Sequence, residues 1–370
     1  MIKTIAIKPI DVGPMMVTWD TGRRCNYDCS YCGAAHHNNY SRHRNVDELK
    51  TVFDFIIAYT TTLNSVRKFP FNTHLNFTGG EPTVNPHFWK LVEYAKVIAP
   101  EFKLSLTTNG AWHSKNTPTI INNFSGVTVS YHAEADETLR KSVLENILAL
   151  AQTKLWLQVN LMMHVDHWDH CVEIYYILKQ AKVNVKIRVI GDGNIMRKGW
   201  FQDSDGSNRR TTHDYTVEQQ EWFWNENGIK DKASATASGT DVGRQCCGSR
   251  SLCAKTTEST EAFQPINVID THFKGWHCSV DYYFLHIDQE TEEIFHHQTC
   301  RAKHGNTVGP IGTLANTMIV LDELKNRLGL NGPVPFDPII CPNNRCGCGM
   351  CVPKAKSLDE YKEIFNEVCR

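Results

Sequence analysis

Apolar residues recur at every second position in six short stretches: MMVTW at 15–19, Leu75 and Phe77, Phe102 with Leu104 and Leu106, Val127 with Val129 and Tyr131, Leu155 through Leu161, and Val183 through Val189. A period of two marks strands with one buried face. Between most of them the period becomes helical. Asn45 is placed to cap a helix carrying Val46, Leu49, Phe53, Ile56 and Ile57; Asn85, with Pro86 at the first helical position, opens another carrying Phe88, Leu91, Val92 and Ala95. Further helices are expected over 136–151 and 167–181, with a weaker helical pattern over 115–123. Strand then helix, repeated six times, predicts an α/β fold with a parallel sheet and helical crossovers.

The alternate positions bear on the shape of that sheet. They carry His74, Asn76 and Thr78; Lys103, Ser105 and Thr107; Thr128 and Ser130; Gln158 and Asn160; and Asn184, Lys186 and Arg188. Parallel strands buried on both faces usually read as continuous apolar runs, and so many polar side chains need water or partners. They suit the wet lumen of a partial (β/α)6 barrel of the TIM type; a sheet with one solvent-exposed face is the plainer alternative.

Past about residue 192 the periodicity lapses, apart from a helical stretch from Thr216 to Asn227. It resumes as an expected hairpin, YYFLHI (282–287) and EIFHH (293–297), and as a last helix opened by Ser357 with Glu360 three residues on. The expected domains are therefore the barrel at 1–192, an insertion or linker at 193–245, and a cysteine-rich region with a C-terminal helix at 246–370. Lys and Arg number 39 against 40 Asp and Glu, so bulk nucleic acid is not an expected partner. No stretch is long and apolar enough for a signal sequence or a membrane span, and the default compartment is the cytoplasm.

Cysteine usage changes the picture. Fourteen are present, three at Cys25, Cys29 and Cys32 and nine between Cys246 and Cys351. In a reducing compartment clustered thiols are metal ligands more often than disulfides. Three thiolates on the loop after the first strand lie at the C-terminal mouth of the sheet, where barrel enzymes place their chemistry. A structural zinc or iron–sulfur site takes four ligands, so three leave one position open.

The segment CNYDCSYC resembles the signature of the radical S-adenosylmethionine (radical SAM) enzymes, with Tyr31 at its aromatic position. The resemblance implies that Cys25, Cys29 and Cys32 hold a [4Fe–4S] cluster. Its open iron would bind SAM, which is cleaved reductively to a 5′-deoxyadenosyl radical that abstracts hydrogen from a substrate. TGGEP at 78–82 matches the family's GGE motif, which implies that Gly79, Gly80, Glu81 and Pro82 fix the SAM amino group. TTNG at 107–110, with Asn109, ends the third strand as in the family. Ser130 and Asn160 are assigned to the ribose region and Arg188 to the SAM carboxylate. Tyr131, His132, His164 and Asp192 are candidate substrate contacts.

The tail segment CPNNRCGCGMC and the cysteines that bracket the hairpin resemble the twitch or SPASM extensions of that family, which carry auxiliary clusters. One auxiliary [4Fe–4S] cluster is expected, held by Cys278, Cys300, Cys346 and Cys348, with Cys341 and Cys351 as alternates. Zinc is the competing metal. Cys246, Cys247 and Cys253 are a further group, and Cys171 is expected in the core. The expected partners are a small-molecule or peptide substrate and an electron donor such as flavodoxin or ferredoxin. The first motif begins at Cys25, which leaves little room ahead of it for a leader-peptide-binding domain and weakens the peptide reading. The competing function is a non-enzymatic zinc or iron–sulfur module that senses redox state or contacts a partner.

Overall fold

The computed structural model describes residues 14–32, 37–66, 70–190, 215–226, 274–278, 280–297, 308–331, 339–342 and 354–362. Its first half is a strict strand–helix series: β1 (Met15–Asp20), α1 (Val46–Asn64), β2 (Thr73–Thr78), α2 (Phe88–Ile98), β3 (Lys103–Thr108), α3 (Thr117–Asn123), β4 (Gly126–His132), α4 (Glu137–Ala151), β5 (Trp156–Met163), α5 (Trp168–Gln180) and β6 (Asn184–Val189). The remaining elements are α6 (Val217–Glu226), β7 (His277–Cys278), β8 (Phe284–Asp288), β9 (Glu293–Phe295), β10 (Gly312–Thr313), α7 (Thr317–Arg327), β11 (Ile339–Ile340) and β12 (Lys354–Ala355).

The helix starts follow from side-chain chemistry. Asn45 Oδ1 accepts from the amides of Asp47 and Glu48, and the Glu48 carboxylate accepts from the Asn45 amide at 2.8 Å, so three backbone donors are satisfied at once. Asp136 caps α4 through the Leu139 amide at 2.9 Å. The second helix begins later than the sequence predicts. Asn85 Oδ1 accepts from the His87 amide while its Nδ2 donates to Arg44 O at 3.1 Å, so Asn85 and Pro86 form a turn and the helix opens at Phe88.

One sheet of nine strands runs in the order β10-β9-β8-β1-β2-β3-β4-β5-β6. Strands β1 to β6 are parallel and lie in chain order. With right-handed crossovers that order places every connecting helix on one face, and α1 packs on α2, α2 on α3 and α3 on α4. Burial alternates accordingly. Val17, Trp19, Leu75, Phe77, Leu106, Val129, Val159 and Leu161 are fully enclosed against Leu49, Phe53, Ile56, Leu91 and Ile147 of the helices, each contributing roughly 1.5–3 kcal/mol of transfer free energy. The opposite face keeps its polar residues half-buried and bonded to one another. Asn76 Oδ1 accepts from Ser105 at 3.0 Å and from Thr107 at 3.3 Å, and Gln158 Nε2 donates to Asn160 at 3.1 Å.

Strand β8 lies parallel to β1 on its free edge, with Asp20 opposite Asp288, and β8 pairs antiparallel with β9 through Ile287 and Ile294. The C-terminal half thus adds to the same sheet beside the first cysteine loop. A second small sheet, in the order β11-β7-β12, carries Cys278. A buried Arg327–Asp281 pair at 2.7 Å ties α7 to the turn before β8. No helix among the described residues is long and apolar enough to cross a membrane.

Candidate cofactor site

The loop after β1 is laid down by backbone pairing. The Cys25 amide donates to Asn38 O and the Asn38 amide to Arg23 O, both at 2.8 Å, so the returning chain runs beside the first cysteine. On the other side the Gly80 amide donates to Gly22 O at 2.8 Å and the Glu81 amide to Arg24 O at 2.9 Å. This close approach explains both glycines. A Cβ on Gly79, whose φ is +131°, would lie 2.5 Å from Gly22 O, and a Cβ on Gly80 would lie 2.3 Å from Arg23 O. The two motifs are a single zipped unit, and the contact that needs glycine is with the cysteine loop itself.

Cys25, Cys29 and Cys32 line one cavity of about 280 Å³ together with Tyr27, Tyr31, His37, Gly79, Gly80, Thr107, Thr108, Asn109, Ser130 and His132. Five segments separated by up to about a hundred residues converge there because parallel strands end on the same side. Amide groups are aimed at the first sulfur: the Tyr27 amide lies 3.4 Å from Cys25 Sγ, and Asn109 Nδ2, held by Asn26 Oδ1 at 2.7 Å, lies 3.8 Å from it. Burial pushes the Cys29 thiol up to about 12, and those of Cys25 and Cys32 upward as well. Among the described residues no Lys or Arg lines the cavity. Three thiolates in this place need their compensating positive charge to arrive with the occupant.

Glu81 turns its carboxylate away from the cavity. It accepts from the Asn109 amide at 2.6 Å, Thr108 Oγ1 at 2.8 Å, the Thr83 amide at 3.0 Å and Thr83 Oγ1 at 2.6 Å, which binds the end of β2 to the end of β3. Burial raises its pKa, and these four bonds oppose that rise. Pro82, also buried, opens the short 3₁₀ turn that follows.

Residues 19–185 match the profile of the Radical SAM superfamily. This part of the chain is similar to a radical SAM domain. Mycofactocin maturase MftC of Mycolicibacterium smegmatis is 30% identical over 97 residues, and MftC of Mycobacterium ulcerans 34% identical over 99. Each match covers 26% of this chain, but only 21% and 23% of those proteins. The matched stretch thus spans about a fifth of the curated relatives' length. Among solved structures, anSMEcpe with bound AdoMet aligns over 96% of both chains at 14% identity and a TM-score of 0.47. Streptococcus suis SuiB aligns over 77% of this chain and 60% of its own, at 10% identity and a TM-score of 0.44.

The radical SAM family implies a [4Fe–4S] cluster and SAM, and the cavity fits that pair. Its first sulfur is met by two amide donors, and among the described residues no three His, Cys, Asp or Glu side chains converge closely enough to grip a single metal ion. A lining of this breadth suits a multi-iron group with a ligand beside it.

The other expected residues of the domain divide. Asn109 and Ser130 line the cavity, and Tyr31 does so with its hydroxyl bonded to His132 Nδ1 and its ring stacked on the imidazole, 5.8 Å between centroids. Asn160 and Arg188 share the polar face, one and two strands beyond Ser130, with Arg188 Nε donating to Asn160 Oδ1 at 3.3 Å; neither lines the cavity. His132, a candidate substrate contact, lines the cavity and abuts Cys29, its Nδ1 3.3 Å from Sγ, and burial lowers its pKa to about 4. Tyr131, also expected near substrate, points to the helical face; it is 1% exposed and bonds His170 at 2.9 Å. Its place in the apolar alternation foretold this. His164 is buried, 3.2 Å from Glu134, whose other oxygen accepts from the Ser30 amide at 3.1 Å. Cys171 is enclosed in the core, as expected. Cys278 and Cys341 are buried. Asp192, Cys246, Cys247, Cys253, Cys300, Cys346, Cys348 and Cys351 lie outside the described residues.

Sequence reasoning gave Tyr27, Thr107, Thr108 and His37 no role at the site. The first three had signals, Tyr27 within the cysteine motif and the threonines at the end of β3. His37 had none, as one of 17 histidines on an aperiodic loop.

Proposed function

We propose that the protein cleaves SAM at a [4Fe–4S] cluster held by Cys25, Cys29 and Cys32, and uses the resulting radical on a small-molecule or peptide substrate. Bound there, the cluster and SAM supply a 5′-deoxyadenosyl radical that abstracts a hydrogen atom from substrate. The observation that carries this reading is the single cavity that joins all three thiols to Gly79, Gly80, Asn109 and Ser130.

In this reading the first six strands form a partial (β/α)6 barrel whose polar face is the lumen. The Gly79–Gly80 backbone and the end of β2 receive the SAM amino group. Ser130 and Asn160 bind the ribose, and Arg188, whose guanidinium is partly desolvated, takes the carboxylate. Tyr31, fixed by His132, walls the nucleoside side. Glu81 and Pro82 act from behind by holding the β2 and β3 ends at one height. An electron donor of the flavodoxin or ferredoxin kind supplies the reducing equivalent. The chain works in the cytoplasm.

The second cysteine region holds one auxiliary cluster. Register places Ile339 opposite Cys278, and the Cys341 amide continues the ladder to Trp276 O at 2.8 Å. Residues two apart on paired strands share a face, so Cys278 and Cys341 lie on the same side. That placement moves Cys341 from alternate to preferred ligand alongside Cys278, with Cys300, Cys346 and Cys348 supplying the rest and Cys351 in reserve.

The name maturase, borne by relatives that share only a fifth of their length with this chain, favours a peptide over a small molecule as substrate. Anaerobic reconstitution with iron and sulfide, followed by dithionite and SAM, tests the reading. The expected product is 5′-deoxyadenosine; its absence with four irons at the trio would refute it.

A further inference from the structure

His37 lines the cavity, and the reading above leaves its chemistry unused. Its side chain is only 10% exposed, and its Nε2 lies 3.2 Å from Asp28 Oδ1. Nδ1 is buried and has no hydrogen-bond partner among the described residues. The other histidine of the lining, His132, has its Nδ1 engaged by the Tyr31 hydroxyl and by Cys29. A buried ring nitrogen without a partner costs free energy unless something else meets it.

The pairing with Asp28 says what that something is. A carboxylate only accepts, so it keeps the ring proton on Nε2, and in the neutral ring Nδ1 is then a lone pair. This is the arrangement in which proteins present histidine to metals: the outer nitrogen donates to a carboxylate, the tautomer is fixed, and the inner nitrogen ligates. The backbone carries His37 with the trio as one body. Its neighbour Asn38 exchanges hydrogen bonds with Arg23 and Cys25, both at 2.8 Å, and Asp28 lies between Cys25 and Cys29 in the loop. Three thiols and one imidazole line one cavity, which equals in number the four ligands an iron–sulfur cluster takes.

We propose that His37 Nδ1 is a fourth protein ligand of the trio-bound cluster, filling its open iron position until SAM displaces it. The proposal rests on the cluster reading above and adds a self-capped resting state. The exchange involves no redox change: one nitrogen lone pair leaves iron as the amino and carboxylate groups of SAM arrive. Because SAM must displace the imidazole, its apparent affinity is lowered by the fraction of protein in the capped form.

The test uses full-length protein labelled with ¹⁵N-histidine, reconstituted anaerobically, reduced, and examined by pulsed EPR without and with SAM. The wild type without SAM should show ¹⁵N hyperfine coupling, which SAM abolishes and His37→Gln lacks. His37→Gln should also bind SAM about threefold or more tightly. Coupling that survives in His37→Gln, or its absence in fully loaded wild type, overturns the proposal. The SAM-displacement arm uses wild type alone, so it holds even if the variant folds poorly. A failure of the underlying reading looks different: the iron content would then be the same in Cys29→Ala as in wild type.

Discussion

The two cysteine regions are built in opposite ways. At Cys25, Cys29 and Cys32 the thiols sit within eight residues, and two neighbouring segments are zipped to them by backbone bonds at 2.8–2.9 Å. At Cys278 and Cys341 the residues are 63 positions apart and share a face only because two-residue strands pair in a small sheet. The first site is prefabricated by local chain geometry and tightened by glycine. The second depends on tertiary assembly. Tolerance to perturbation should differ accordingly.

Matched glycine substitutions probe that difference most strongly. Gly80→Ala places a methyl 2.3 Å from Arg23 O, backbone against backbone, so the loop or the strand end must shift. The expected cost is about 2–4 kcal/mol by chemical denaturation, with loss of iron at the trio. Gly275 donates its amide to Cys341 O in the second region and has φ +84°, yet a Cβ there meets nothing within 4 Å. Gly275→Ala should cost only about 1 kcal/mol and leave trio loading intact. Equal losses would erase the proposed contrast.

A smaller effect comes from the seam where the halves join. Asp20 and Asp288 face each other across β1 and β8, with Glu290 nearby. Burial, reinforced by the Asp288 charge, raises the Asp20 pKa to about 7, against weaker lowering by the Gly22 amide and Arg23. A carboxyl raised in the folded state gives stability that is fully present below about pH 4 and lost as pH climbs through 7. Asp20→Asn should therefore stabilise the protein by about 1–3 kcal/mol at pH 8 and hardly at all at pH 4, measured by denaturation at both. A uniform gain at both pH values would mean that the carboxylates do not repel across the seam.

These cases also show what sequence could reveal. The six strands, most helices and the trio–glycine unit are written locally, in two-residue and helical periods and in short spacings. The β1–β8 pairing was not, because it joins residues 268 apart and no local pattern marks which edge a late strand will take. Glu81 was legible as part of a motif but not in its role, since only the fold shows its carboxylate bonded to Thr83, Thr108 and Asn109. His132 was expected at substrate because it ends a strand; its neighbour across space, Cys29, reaches it from a loop 103 residues earlier.

The smallest effect expected is at Arg188, which lies on the polar face outside the cavity lining. Arg188→Ala should leave cluster loading unchanged and weaken SAM binding by about tenfold, the scale of one charge-assisted hydrogen bond. Unchanged affinity would remove Arg188 from the SAM carboxylate.

The most direct test of the division between the two regions is 5′-deoxyadenosine formation by reconstituted wild type, Cys29→Ala and Cys278→Ala assayed side by side. Cys29→Ala should form none, while Cys278→Ala should retain cleavage within about tenfold of wild type. Cleavage that survives in Cys29→Ala, or that vanishes equally in both with the trio cluster still loaded in Cys278→Ala, would contradict the account.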